Sequence, residues 1–278
     1  MASNQFNARG VRAFAGRATL WLDRRRSRGT VPLPALVKGA RLVPSPVFLF
    51  SSVRSGSTLL RVILDSHSDI HAPHEMHLGS LRVTVADWYG ETAIKELGVR
   101  PRDLENLLWD RVLHLELSNA GKSILVEKTP YNTINWRRIA ASWPNARYIF
   151  LKRHPLRIFQ SLRASRPDVE TANHYENVIR YSRALAQASA ALPGTTVRYE
   201  DLTADPVRVV RHLCTWLDVQ FQPGMLRYGE HQHGKFRRGL GDWSANINSG
   251  AILPAQPAPL PNEIPEELRK SCRVLGYL

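Results

Sequence analysis

The chain has 278 residues, enough for one large or two small domains, and 43% hydrophobic with 8% aromatic content provides for a real core. Lys and Arg total 38 against 24 Asp and Glu, but residues 1–44 hold nine of those cations and one acid, so the body is only mildly basic and suits an anionic substrate without nucleic acid. Two cysteines, Cys214 and Cys272, make no disulfide framework and lack metal-ligand spacing, and no apolar run reaches transmembrane length.

Residues 1–44 read as a basic appendage. Val11, Phe14, Ala18 and Trp21 form a narrow apolar stripe at helical spacing, and the cluster DRRRSR follows at 23–28. The plain reading is a helix with a solvated basic face. The alternatives are contact with an anionic membrane surface or an acidic carrier protein. No apolar signal core accompanies the arginines, so a cytoplasmic location is expected. Residues 30–38 contain two prolines and read as a connector.

Pro46–His67, PVFLFSSVRSGSTLLRVILDSH, is the most informative stretch. Val47–Phe50 has the unbroken apolar character of a buried parallel strand. SSVRSGS is a small, polar, basic loop, and Leu59, Leu60, Ile63 and Leu64 then fall on one helix face. A strand, a small-residue loop and a helix together present backbone N–H groups and a helix dipole to an anion. Gly56 permits close approach, Ser55, Ser57 and Thr58 add hydroxyls, and Arg54 adds a guanidinium fork. The loop is not the nucleotide-triphosphate P-loop, because it has no Gly-Lys pair.

A short strand is expected over 69–72, followed by HAPHEMH. His67, His71, His74 and His77 with Glu75 invite a metal reading. Pro73 interrupts any helix there, so the one-turn ligand spacing is missing and no metal is assigned. A carboxylate just past a second strand, beside an anion loop, is well placed as a general base. Residues 80–120 read as largely helical, with Leu104, Leu107, Leu108, Val112 and Leu115 at helical spacing and Pro101 and Asp103 as a start signal. The segment from about 78 to 120 reads as an insertion over the acceptor. Ile124–Val126 predicts a strand that delivers Glu127, Lys128 and Thr129 at its C-terminal end, where open α/β sheets bind ligands. A helix over 132–142 follows.

RYIFLKR, 147–153, predicts a strand ending at Arg153. Pro155 starts a helix that carries Ser161, so both residues can reach one ligand. A long helix over 174–192 has Val178, Tyr181, Leu185 and Ala188 on one face. TVRY at 196–199 is a further strand, and Asp205-Pro206 opens a helix to Leu217. Beyond Tyr228 the chain is polar, basic and Gly-rich. Lys235, Arg237 and Arg238 with Gly239 and Gly241 suit a loop over a bound anion. The last helix is expected over 266–275. Alternating strands and helices predict an α/β fold, a parallel sheet covered by helices on both faces.

Together these motifs resemble sulfotransferases that use 3′-phosphoadenosine 5′-phosphosulfate, over about residues 46–250. VRSGSTLL resembles the 5′-phosphosulfate loop written PRSGTTLL or PKSGTTW. Arg153 and Ser161 match the 3′-phosphate pair, VRYEDL the strand and acidic turn with Tyr199, EKTP a lysine-bearing segment, and RRGLGDW the closing loop RKGxxGDW. The resemblance implies a P-loop-NTPase-like sulfotransferase fold over 45–278. It also implies the phosphosulfate as co-substrate, a hydroxylated acceptor such as a natural product, lipid or glycan, and no nucleic acid or metal. Glu75 resembles the catalytic Glu of tyrosylprotein sulfotransferases. The catalytic His of the cytosolic small-molecule enzymes, which carry Lys at loop position 54, has no clear counterpart.

The implied roles are Glu75 as base, Arg54 and the N–H groups of residues 55–58 at the 5′-phosphate and leaving oxygen, and Lys128 on the sulfonate. Arg153, Ser161 and one of Arg237 or Arg238, next to Gly239, take the 3′-phosphate, with Tyr199 near the adenine. RRGLGDW is one residue shorter than its counterpart, which leaves the choice between the two arginines open. The competing readings are a P-loop-like small-molecule kinase, which lacks its loop Lys, and a basic nucleic-acid-binding protein.

Overall fold

The computed structural model describes residues 41–278, apart from positions 238 and 243. In chain order the first half holds β1 (Val47–Ser51), α1 (Ser57–Asp65), β2 (Ile70–His71), α2 (Trp88–Glu96), α3 (Pro101–Ala120), β3 (Ile124–Glu127), α4 (Tyr131–Ile134) and α5 (Trp136–Ser142). The second half holds β4 (Arg147–Lys152), α6 (Pro155–Ser165), α7 (Thr171–Ala191), β5 (Gly194–Arg198), α8 (Tyr199–Ala204), α9 (Pro206–Leu217), α10 (Ala245–Asn248) and α11 (Glu266–Leu275). The five strands form one parallel sheet in the order β2-β3-β1-β4-β5. The chain runs outward from β1 to β2 and later crosses to the opposite side with β4. The crevice at the C-terminal ends of β1, β3 and β4 is therefore a topological switch point.

Strand alternation divides the core between the two faces. Val47, Leu49, Val126, Ile149, Leu151 and Val197 face α1 and α9. Phe48, Phe50, Leu125, Tyr148 and Phe150 face α3, α5 and α7. In α1, Leu60, Ile63 and Leu64 are wholly buried, and each contributes about 1.5–3 kcal/mol by leaving water. Val178, Tyr181, Leu185 and Ala188 of α7 and Val209, Leu213 and Leu217 of α9 are buried as their spacing predicts. Helices thus cover both faces of the sheet.

The insertion differs from its expected form. Residues 81–87 are extended, α2 buries no residue, and α3 turns a different face inward. Leu107, Leu108 and Leu115 are exposed at 42%, 41% and 47%, while Trp109, Leu113, Asn106 and Asp110 are buried. The carboxylates and the Asn106 carbonyl of this face are engaged, while Asn106 Nδ2 has no partner among the described residues. Asp110 accepts from the backbone N–H groups of Leu42 and Val43, and Glu105 and Asn106 accept from Arg138. These long-range bonds, with the burial of Trp109, outweigh the leucine spacing. The helix expected over 132–142 is two, broken at Asn135. Of the appendage, residues 1–40 lie outside the described residues. Among the described residues no helix is long and apolar enough to cross a membrane.

Candidate active site

A cavity of about 430 Å³ opens at the C-terminal ends of the central strands. Its floor is the turn between β1 and α1. Gly56 has a left-handed φ of 87°, and a Cβ there would lie 2.2 Å from the Tyr199 ring, so only glycine fits. Arg54 also holds a positive φ of 62°. The backbone N–H groups of Gly56, Ser57, Thr58 and Leu59 make no hydrogen bond among the described residues. They are the orphan donors of a helix start, beside a cavity lined by Gly56, Ser57 and Thr58, and they suit an anion. Ser55 turns away, donating to the Ser52 carbonyl from a fully buried position.

From this turn a row of contacts crosses the cavity. Lys128, at the end of β3 and wholly buried, places Nζ 2.6 Å from Glu75 Oε1 and 3.4 Å from Thr58 Oγ1. Burial lowers the Lys128 pKa, and the Glu75 carboxylate opposes that shift. Thr58 Oγ1 also accepts the Asp242 N–H at 3.0 Å. Asp242 Oδ1 accepts from Arg54 Nη1 at 2.8 Å, and Arg54 Nε donates to Ser161 Oγ at 3.0 Å. Burial works to raise the Asp242 pKa, but Arg54 and Ser244 outweigh it and hold the carboxyl below its ordinary value. Arg153 donates to the Arg54 carbonyl at 2.8 Å and lies 4.4 Å above the Tyr199 ring. Burial lowers its pKa against the pull of Tyr199 and Glu200.

Glu75 itself sits in an irregular stretch between β2 and a 3₁₀ turn at Leu78–Ser80. Its frame comes from β3. The Glu127 carboxylate is completely buried and accepts from Thr129 Oγ1 at 2.6 Å, from Asn132 Nδ2, and from the Met76 N–H. Thr129 Oγ1 in turn accepts the His77 N–H at 3.2 Å. Burial pushes the Glu127 pKa up to about 7, against the lowering effect of Thr129 and Lys128. The sequence places Glu127 at the ligand-binding end of β3, but not in this framing role, which rests on contacts with chain 50 residues earlier.

The structure therefore brings Arg54, Gly56, Ser57, Thr58, Glu75, Arg153, Ser161, Tyr199 and Gly239 to one cavity, with Lys128 behind Glu75. The Arg54 side chain is directed to Ser161 and Asp242, which places it beside Arg153. Arg237 is exposed and does not line the cavity, and Arg238 lies outside the described residues. The four histidines disperse. His67 meets Gln220, His71 meets Asp65 and Glu116, His74 meets the Glu75 carbonyl, and His77 meets Gly239. His77, Asp242, Tyr131 and Tyr181 also line the cavity; Asp242 belongs to the RRGLGDW motif and His77 to HAPHEMH, but the motifs assign none of the four a place in a donor or acceptor site. The closing segment is anchored at its start, where His233 Nδ1 lies 2.7 Å from Asp65 Oδ2 at the end of α1.

The sulfotransferase family matches residues 46–223. A putative protein-tyrosine sulfotransferase of Caenorhabditis briggsae is 24% identical over 196 residues, covering 66% of this chain and 69% of that one. Protein-tyrosine sulfotransferase 1 of Danio rerio is 21% identical over 201 residues, and the match spans 56% of its length and 66% of this chain. Among solved structures, the sulfotransferase domain from the curacin biosynthetic pathway superposes with a TM-score of 0.62 at 22% identity, covering 84% of this chain and 98% of that one. The sulfotransferase domain of the Synechococcus PCC 7002 olefin synthase gives 0.61 at 24% identity, with 84% and 95% covered.

Proposed function

The chain belongs to the sulfotransferase family, and from that premise we propose that it moves a sulfonate from 3′-phosphoadenosine 5′-phosphosulfate to a hydroxyl of a small acceptor. The observation that carries this reading is the 2.6 Å pair of Glu75 and Lys128 beside the unpartnered N–H groups of the β1–α1 turn. A base, a buried cation and an anion cradle then meet at one opening.

In-line transfer needs little covalent help from the protein and much positioning. Glu75 takes the acceptor proton. Lys128 steadies the Glu75 carboxylate and supplies positive charge where the transferring group gathers its negative charge. The N–H groups of residues 56–59 and Thr58 Oγ1 hold the donor's 5′-phosphate. Arg153, Ser161 and Arg54 form the cationic and hydroxyl cluster suited to its 3′-phosphate, and Tyr199, pinned between Gly56 and Arg153, offers a ring to the adenine. This assignment moves Arg54 from the 5′ end of the donor, where the loop motif implies it, to the 3′ end. The donor supplies an activated sulfonate with a nucleotide leaving group. On the acceptor side, Tyr131, Tyr181 and Pro130 line the opening next to Glu75. The curated relatives are named for protein tyrosine, so a tyrosyl peptide is the acceptor to compare with small hydroxylated molecules.

The test is calorimetric binding of adenosine 3′,5′-bisphosphate, with ATP and Mg²⁺ as comparator. Tight binding of the bisphosphate, weakened at least about tenfold in Arg153→Ala, is expected, since hydrogen bonds to charged groups contribute about 1.5–3 kcal/mol. Binding of ATP with Mg²⁺ alone would replace this reading with the kinase one.

A further inference from the structure

His77 is unusual in its backbone and in its contacts. Its φ of 50° and ψ of 35° lie in the left-handed region, which a non-glycine residue occupies only when its surroundings hold it there. The His77 N–H is fixed to Thr129 Oγ1, Thr129 is fixed to the buried Glu127, and the Ser80 N–H closes the turn onto the His77 carbonyl. The effect is to send the imidazole across the mouth of the cavity. There Nε2 lies 2.8 Å from the Gly239 carbonyl and 3.4 Å from Glu75 Oε2. A carbonyl oxygen only accepts, so Nε2 carries a hydrogen. That N–H goes to the Gly239 carbonyl, and the same ring edge lies beside the Glu75 carboxylate, so His77 stands between the Gly239 segment and Glu75.

We propose that His77 is a positioning residue that fastens the Gly239–Asp242 segment to Glu75, so that the donor-side loop and the base are ordered together. The inference rests on the reading of Glu75 as the base. Lys128 bonds Oε1 of that carboxylate and the His77 ring packs 3.4 Å from Oε2, so both flank a side chain whose own backbone has no regular structure. The loop is held at three points. The Gly239 carbonyl is held by His77, the Asp242 N–H by Thr58 Oγ1, and the Asp242 carboxylate by Arg54. Gly241, between the first two of these points, has a φ of 130°, and a Cβ there would sit 3.1 Å from Thr58 Oγ1. The loop therefore lies tightly on Thr58 and Lys128. Removing the His77 ring frees one end of the loop and takes away the neighbour that packs on one oxygen of Glu75.

The experiment is amide hydrogen exchange on the full chain without ligand, in wild type, His77→Ala and His77→Gln. The reporters are the Ser80 and Leu81 amides on the base side and the Leu240 and Asp242 amides on the loop side, all hydrogen-bonded in the structure. The expectation is that His77→Ala speeds exchange at least about threefold on both sides, while amides of β1 and β4 stay unchanged. Glutamine keeps an N–H donor at similar reach and restores protection on the loop side. Faster exchange confined to 77–81 in His77→Ala would overturn the proposal, as would a glutamine variant that behaves like alanine on the loop side. Loss of protection throughout the sheet would show a folding role and would also overturn it. None of these outcomes depends on adenosine 3′,5′-bisphosphate, so failure of the donor reading is seen separately in the calorimetry.

Discussion

Arg54 Nη1 and Asp242 Oδ1 lie 2.8 Å apart, so a carboxylate from the closing segment occupies the guanidinium that a donor phosphate would use. The pair is about a quarter exposed, and solvent screens it. Asp242 is thus an internal anion competing for the same cation. Asp242→Asn keeps an oxygen for the Ser244 N–H, gives up the one that accepts from Ser244 Oγ, and removes the charge. We expect the variant to bind adenosine 3′,5′-bisphosphate about three- to tenfold more tightly by calorimetry. Weaker binding would show that the carboxylate orders the loop for the donor instead.

Glu75→Gln removes the carboxylate proposed as the base while keeping an oxygen for Lys128. A positioned general base contributes about 10²–10⁴-fold. Turnover should fall by that order, and bisphosphate affinity should stay within about threefold of wild type. Wild-type turnover in this variant would remove Glu75 from the chemistry.

Gly56→Ala tests the cradle. The added methyl would meet Tyr199 at 2.2 Å on a backbone of positive φ, so either the turn or the ring must shift. We expect a loss of about 1–3 kcal/mol in stability by denaturant titration, with bisphosphate binding lost at the same time. Unchanged binding would mean that the N–H groups of this turn do not hold the ligand.

Glu127 makes stability depend on pH. Its carboxyl is raised by burial from 4.5 to about 7, so its favourable contribution is complete below about 4.5 and is lost as pH rises through about 7. At pH 8 the buried charge costs on the order of 3 kcal/mol relative to the acid. Glu127→Gln keeps the shape and has no charge to bury. The fall in Tm between pH 5 and pH 8 should therefore be smaller in the variant than in wild type. Parallel curves would show that Glu127 does not titrate in this range.

Much of the site was legible because its logic is local. The β1–α1 turn needs small residues and a glycine wherever it stands in space, and a strand followed at once by a helix fixes which end of the sheet Arg153, Lys128 and Tyr199 approach. The periods of α7 and α9 likewise predicted their buried faces, since in both the apolar stripe is the side that packs. The α3 periodicity misled for the opposite reason. Its leucines define a stripe, but Trp109 and the bonds from Asp110 and Glu105 to distant chain decide which side packs. The contact of Arg54 with Asp242 joins residues 188 apart, and that of His77 with Gly239 joins residues 162 apart.

The sequence by itself determined the order of strands and helices, the anion-binding turn and the residue types that carry the chemistry. These follow from side-chain period, backbone sterics and charge within a few residues. Only the tertiary structure decided that Arg54 turns to Ser161, that Glu127 frames the Glu75–His77 turn and that His77 meets Gly239. Each of those depends on a polar group finding a partner far along the chain, and no local pattern encodes which partner it will find.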